Sequence, residues 1–191
     1  MDIVINLSPV TLETDRLILR PWHEDDLADF YEYASVEGVG EAAGWRHHGS
    51  INESKRILEI FIAEKCIFAL ELKENNKVIG SLGLHPSWAN DEPEYAALLQ
   101  KEIGYVLSRD YWGRGLATEA VRGVLCYCFS ELSLDAVTVG HFTANDRSRR
   151  VIEKCGFTLV RYGVYNAKQL NTKIDDMKYI LLKENFSCPK T

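Results

Sequence analysis

The 191-residue chain predicts an α/β fold of the α+β kind: one domain, residues 1–191, with a mixed central sheet flanked by helices. Three observations predict it. Short apolar runs with alternating faces recur along the chain, and amphipathic stretches of helical period are interleaved with them. In the second half, strand patterns are linked by helix patterns. No sharp change of composition divides the chain.

The elements follow in order. "DRLILRP" reads as a strand with Leu17 and Leu19 on one face, stopped by Pro21. "HEDDLADFYEYA" reads as a helix, acidic in its first turn, with Leu27, Phe30, Tyr31 and Ala34 in one stripe. Residues 35–50 are glycine-rich and aperiodic, hence a long loop. "NESKRILEIFIAE" is a second helix, capped by Ser50 or Asn52. "KCIFALELKENNKVIGSLGL" is a hairpin in which Cys66, Phe68, Leu70 and Leu72 alternate. Residues 85–101 are polar and form an excursion from the sheet. "EIGYVLS" is a strand running into a glycine turn and a helix over 116–131, buried along Ala117, Val121, Leu125 and Cys128. "DAVTVGHF" is a strand, and Asn145 to Cys155 is a short helix closed by Gly156. "FTLVRYGVY" and "DMKYILLKE" are the last strands.

Composition limits the function. A net charge of -6 argues against nucleic-acid and membrane-surface partners, and no apolar run reaches the length of a membrane span. The N-terminus lacks the basic start of a signal peptide. The five cysteines, an odd count without a CxxC pair, are expected to be reduced thiols in a cytoplasmic protein. The five histidines show no metal-binding spacing, so no metal is expected. Self-association as a homodimer stays open.

The densest signal is "SRDYWGRGLATEAVRGVLCYCF", residues 108–129. Gly113, Gly115 and Ala117 are small residues at alternate positions between a strand and a helix. Such a turn either serves only as a tight connection or leaves backbone N–H groups free for an anion at the helix start. Arg114 adds a cation for a phosphate. There is no GxxxxGK[ST] and no GxGxxG after a first strand, which removes the common ATP and dinucleotide readings.

With "LETDRLILRPW", "EIGYVLSRDYWGRGLATEA" and "NDRSRRVIEKCGF", the chain resembles the GNAT superfamily of acetyl-coenzyme A dependent acetyltransferases over about residues 12–182. Within it the chain is similar to the RimJ/RimL-like branch, ribosomal-protein alanine N-acetyltransferases. Trp112, Gly115 and Ala117 occupy the first, fourth and sixth positions of the Gln/Arg-x-x-Gly-x-Gly/Ala pattern, and Trp112 departs from its first residue. The resemblance implies a V-shaped splay between the fourth and fifth strands, "EIGYVLS" and "DAVTVGHF". It implies that the amides of Gly113, Arg114, Gly115, Leu116, Ala117 and Thr118 hold the coenzyme A pyrophosphate. Val106 and Leu107 would pair through their backbone with the pantetheine arm, with Asn145 nearby.

It also implies a catalytic role for Ser148, as proton donor to the departing thiolate. Asn145 reads equally as the cap of its helix. Transfer to an amine needs a neutral nucleophile and a donor for the developing oxyanion. Glu102 is the candidate base, and a solvated strand-end carboxylate is its other reading. Tyr105, Tyr162 and His141 are further candidates, Glu119 is structural, and His47 and His48 stand in a loop that lines the acceptor channel in relatives. The expected reaction moves an acetyl group from acetyl-CoA to a primary amine, with a protein N-terminal α-amine as first substrate. A small-molecule amine acceptor and a non-catalytic CoA-binding protein are the alternatives.

Overall fold

The computed structural model describes residues 3–188. Its elements are β1 (Leu12–Glu13), β2 (Leu17–Arg20), α1 (Leu27–Ala34), α2 (Ile51–Glu64), β3 (Ile67–Leu72) and β4 (Lys77–His85). They continue with β5 (Gln100–Leu107), α3 (Leu116–Ser130), β6 (Ala136–Phe142), α4 (Asp146–Lys154), β7 (Thr158–Ala167) and β8 (Thr172–Leu182). Eight strands form one sheet in the order β1-β2-β3-β4-β5-β6-β8-β7.

Every neighbouring pair is antiparallel except β5 and β6, which α3 joins as parallel neighbours. The two-residue β1 lay below the strand pattern of the sequence, so the fourth and fifth strands read there are β5 and β6. The last two strands exchange places: the final strand β8 pairs with β6, and β7 becomes the edge.

Alternation decides which face each side chain covers. On one face, Leu17, Leu19, Phe68, Leu70, Leu82 and Ile103 pack under α3 and α4. On the other, Ala69, Val78 and Ile67 pack with Trp22, Phe30, Tyr33 and Leu58 from the α1–α2 layer. The α3 stripe is buried as its period requires, at Ala120, Val121, Val124, Leu125, Cys128 and Phe129. Ala117 is only half-buried, because it lines a cavity instead of packing. Ser50 caps α2, its hydroxyl accepting from the Glu53 N–H at 3.3 Å. The segment read as one helix from residue 23 begins as a tighter turn over Glu24–Asp26, in which the Asp26 carboxylate accepts from the His23 N–H at 2.8 Å.

The start of α3 is fixed from below. Glu119 accepts from the Thr14 hydroxyl at 2.6 Å, the Arg16 N–H at 2.8 Å and the Arg16 Nε at 2.7 Å. Burial works against the Glu119 carboxylate, yet these donors hold its pKa below the usual carboxylate range. Glu119 is therefore structural, as its place in the sequence suggested.

The cysteine expectation needs correction. Cys126 on α3 and Cys188 form a disulfide, with Cα atoms 5.4 Å apart and a sequence separation of 62. Spacing did not reveal it, because the end of the chain comes back to α3 in space, where the Phe186 ring meets Phe129 at 5.2 Å. Cys66, Cys128 and Cys155 are free thiols. Cross-linking a segment this long restricts the unfolded chain by about 4 kcal/mol in the loop-entropy picture. Replacing Cys126 by Ser is expected to lower unfolding free energy by about 2–4 kcal/mol in urea without reductant. With reductant the two proteins should unfold alike, and a loss that persists there would show a packing effect instead.

Candidate active site

Pairing between β5 and β6 runs from Gln100↔Ala136 to Ile103↔Val139 and stops. Beyond it, Gly140–Phe142 stay with β8, while Gly104–Leu107 stay with β4. The strands thus separate into a V, open toward the C-terminal end of β5.

The register shows which backbone groups face this gap. The Ser108 N–H donates to the Ile79 carbonyl at 2.7 Å, so the ladder with β4 takes Ser108, Val106 and Gly104 on one side of the strand. Tyr105 and Leu107 therefore present their N–H and C=O groups to the gap. This corrects the expectation for Val106: its backbone belongs to β4 opposite Ser81, and only its side chain borders the site. The Leu107 carbonyl accepts from the Trp112 indole Nε1–H at 2.8 Å. Trp112, the departure from the glycine-turn pattern, thus ties the turn to the strand end.

Gly113 and Gly115 have φ of +77° and +79°, the left-handed region in which a side chain is strained. Gly115 precedes α3 without a side-chain cap. A helix start leaves its first N–H groups without intrahelical acceptors, here those of Leu116, Ala117 and Thr118. The Arg114 carbonyl accepts from Arg16 Nη1 at 2.9 Å, and its guanidinium lies 5.1 Å above the Tyr111 ring. Arg114 does not border the cavity, contrary to the phosphate role expected of its side chain.

The cations that do border it are Arg147, Arg150 and Lys154. They follow at positions i, i+3 and i+7 of α4 and so share one face of the helix. Arg147 stacks over Trp112 at 4.1 Å. That spacing was present in "NDRSRRVIEK", but the overall negative charge hid it. The resulting cavity, of about 330 Å³, runs from the gap past the α3 start to α4.

A second cavity, of about 470 Å³, meets the first at Gly104, Tyr105, Asn145 and Ser148. The meeting point is held together locally. The Asn145 side chain accepts from the Ser148 N–H at 3.1 Å, capping α4, and donates to the Ala42 carbonyl at 3.2 Å. Capping and a place at the site therefore coexist. Ser148 Oγ and the Tyr105 hydroxyl are 2.8 Å apart, and burial raises the Tyr105 pKa far above the ordinary phenol value.

The second cavity carries the other polar groups. Glu102 lies on its wall, where burial raises the carboxyl pKa while Lys178, 4.0 Å away, lowers it. His85, Asp176 and Lys178 join it there. They escaped sequence reading because β4, β5 and β8 bring them together from distant positions, with no local motif. His141 also borders this cavity, its Nδ1–H donating to the Phe142 carbonyl at 2.8 Å and its Nε2 meeting the Tyr179 hydroxyl at 3.1 Å.

Other candidates lie elsewhere. Tyr162 is 69% exposed on the edge strand and borders neither cavity. His48 is buried, 2.7 Å from the Ser54 hydroxyl, and His47 pairs with Glu41 at 2.8 Å. From that loop it is Ala42, Ala43 and Trp45 that line the chamber. Among the described residues, no group of three His, Cys, Asp or Glu side chains is placed to hold a metal ion, and no helix is long and apolar enough to cross a membrane.

These features match known proteins. A family model described as an acetyltransferase (GNAT) domain matches residues 16–158. YoaA of Bacillus subtilis, an uncharacterised N-acetyltransferase, is 31% identical over 176 residues, spanning 85% of this chain and 93% of YoaA. YdaF of the same organism, whose name proposes a ribosomal N-acetyltransferase, is 39% identical over 56 residues, 29% of this chain and 31% of YdaF. The crystal structure of a GNAT-family acetyltransferase from Bacillus anthracis shares the fold at a TM-score of 0.79 and 22% identity, covering 92% of this chain and 99% of that one. With most of its length matched by the family model, the chain belongs to the GNAT family of acetyltransferases.

Proposed function

We propose that this acetyltransferase acts on primary amines, with the α-amine of a protein N-terminus as its first substrate class, as in the RimJ/RimL-like branch. The observation that carries the reading is the meeting of two cavities at the unpaired edge of β5, one bordered by cations and helix N–H groups, the other by carboxylates. The short match to YdaF supports the branch.

The residues present fit acetyl-CoA. A Cβ on Gly113 would meet nothing within 4 Å, so its backbone is open to a ligand. The amides from Gly113 to Thr118 would hold the diphosphate, with Arg147, Arg150 and Lys154 adding charge. The gap-facing groups of Tyr105 and Leu107 would take the pantetheine amides, and Asn145 would border the arm. Acetyl-CoA supplies the acyl group as a thioester, whose thiol has a pKa of about 8.5 and leaves readily.

The protein's own groups then manage protons. With Tyr105 protonated and donating to Ser148 Oγ, the Ser148 hydroxyl would pass its proton to the sulfur as it takes one from Tyr105, which solvent then reprotonates. The gap-facing N–H groups of β5 meet charge that develops on the carbonyl oxygen. Glu102 receives the proton of the attacking amine, directly or through water. Its raised pKa makes it a better base than an exposed carboxylate.

Acetyl transfer across N-terminal peptides, lysine peptides, polyamines and amino acids, followed by thiol release and product mass, tests the acceptor class. Activity confined to polyamines or lysine side chains would refute the N-terminal assignment. Gly115→Glu should weaken CoA binding by calorimetry about a hundredfold or more, since a side chain is strained there and its charge opposes the diphosphate. Ser148→Ala should reduce kcat by about 10²-fold with CoA affinity retained, and unchanged turnover would remove Ser148 from the chemistry. The acid limb of the kcat/KM profile should fall as pH drops through a Glu102 pKa above the ordinary carboxylate value, because only the ionised form accepts a proton. Glu102→Gln should abolish that limb, and its survival would assign it to another group.

A further inference from the structure

Two glycines on neighbouring strands stand directly opposite each other, Gly83 of β4 and Gly104 of β5. Residues paired across a ladder share a face, and Ile67, the β3 partner of Gly83, packs with the α1–α2 layer. Gly83 and Gly104 therefore leave a bare strip on that face of the sheet. His85 and Glu102, each two residues away and paired with one another, lie on the same face. The His85 ring fills the strip. A Cβ at Gly83 would collide with its Nε2, and one at Gly104 would stand 3.5 Å from that atom. The ring thus reaches from the Glu102 row to the first row beyond the last β5–β6 pair, Ile103 and Val139.

That row is where an acceptor amine would meet an acyl carbon, since Gly104 borders both cavities. Tyr105 and Ser148 approach the same point from the α3–α4 face. His85 is partly accessible and lines the acceptor cavity. The other histidine on that wall, His141, has both ring nitrogens engaged, one by the Phe142 carbonyl and one by the Tyr179 hydroxyl. The charged groups around His85 are Glu102 and Lys101 on β5, Glu64 at the end of α2, and Asp176 and Lys178 of β8 across the cavity. Burial outweighs the pull of Glu64 and drives the imidazole toward its neutral, proton-accepting form.

An amine that arrives as an ammonium loses two protons before it is an amide nitrogen, and Glu102 takes one. We propose that His85 takes the other: its imidazole removes the proton that makes the acceptor an ammonium, and Glu102 then takes the proton shed as the C–N bond forms. The inference rests on the acetyl-transfer reading and completes its proton path. In the first step an N–H bond of the ammonium breaks and one forms at the imidazole, leaving a neutral amine and an imidazolium. In the second, the nitrogen lone pair forms the C–N bond, the C–S bond breaks with its electron pair on sulfur, and the second proton passes to Glu102. His85 and Glu102 return their protons to solvent and Tyr105 regains one from it, so each turnover releases a single proton. From an α-amine the first transfer is less uphill to an imidazole, ordinarily about 6.5, than to a carboxylate at about 4.3.

The test follows thiol release from acetyl-CoA with a lysine-free peptide bearing an N-terminal alanine, at about pH 7 and about pH 9, on either side of the α-amine pKa. His85→Gln stays polar but cannot carry the proton. It can use only amine that arrives neutral, about a tenth of the total at the lower pH and nearly all of it at the higher. Its kcat/KM is expected to fall about tenfold at the lower pH and to stay within about twofold of the unaltered protein at the higher, with CoA affinity by calorimetry unchanged. His85→Asn should show the same convergence. An equal loss at both pH values would mark His85 as structural, and no loss at the lower pH would remove it from the proton path; either result overturns the assignment alone. No thiol release by the unaltered protein at either pH would defeat the acetyl-transfer reading, and the assignment with it.

Discussion

The site depends on one interruption, the loss of hydrogen bonding between β5 and β6 after Ile103 and Val139. A sheet interior with unpaired backbone groups is costly, because each N–H and C=O needs a partner. Here each strand keeps one partner on its outer side, β4 for β5 and β8 for β6, so the cost falls on the inner edges alone. Tyr105 and Leu107 carry those inner groups. One of them, the Leu107 carbonyl, is satisfied by Trp112. The others suit an extended ligand with amides of its own, the same logic by which a free strand edge recruits a peptide.

That edge is useful only because a positive helix start lies at its end. The turn between β5 and α3 crosses two left-handed glycines, and Arg16 and Glu119 tie it to the first strands. Glu119 is the pivot, joining the start of α3 to β1 and β2 while its charge is balanced by Arg16 at 2.6 Å. This pair is partly exposed, so its worth lies in fixing geometry more than in raw stability. Trp112 and Arg147 extend the same framework to α4.

How much of this was legible follows the distance in sequence over which each feature is built. The glycine turn, the α3 stripe, the Asn145 cap and the clustering of Ser148 beside it are local, and each was read from consecutive residues. The mixed sheet was legible because alternation and helical period have distinct signatures. The order of the last strands was not, since either hairpin strand satisfies the same alternation. Asp176, Lys178 and His85 were invisible for a related reason: they gain meaning only when β8 and β4 flank the gap. The assignment of Val106 failed on parity alone, because a strand's hydrogen-bonding side depends on its neighbour's register and not on its own residues. The Cys126–Cys188 bond was missed because compartment reasoning weighs the count of cysteines and not their proximity.

The opposed polarity of the two cavities bears on how a neutral amine arises at the point of attack. A free α-amine has a pKa of about 7.7–8.0, whereas a lysine side chain needs removal of a proton held at about 10.4. A base with a raised pKa, as proposed for Glu102, is left with a smaller gap to the first than to the second. The carboxylates that draw an ammonium inward also stabilise its charge, which opposes deprotonation. Lys178 limits this conflict, since a fixed cation beside Asp176 and Glu102 lowers the pull on the substrate's own proton. Under the proposed mechanism, such an arrangement would suit an acceptor whose amine is weakly basic, as an N-terminal α-amine is.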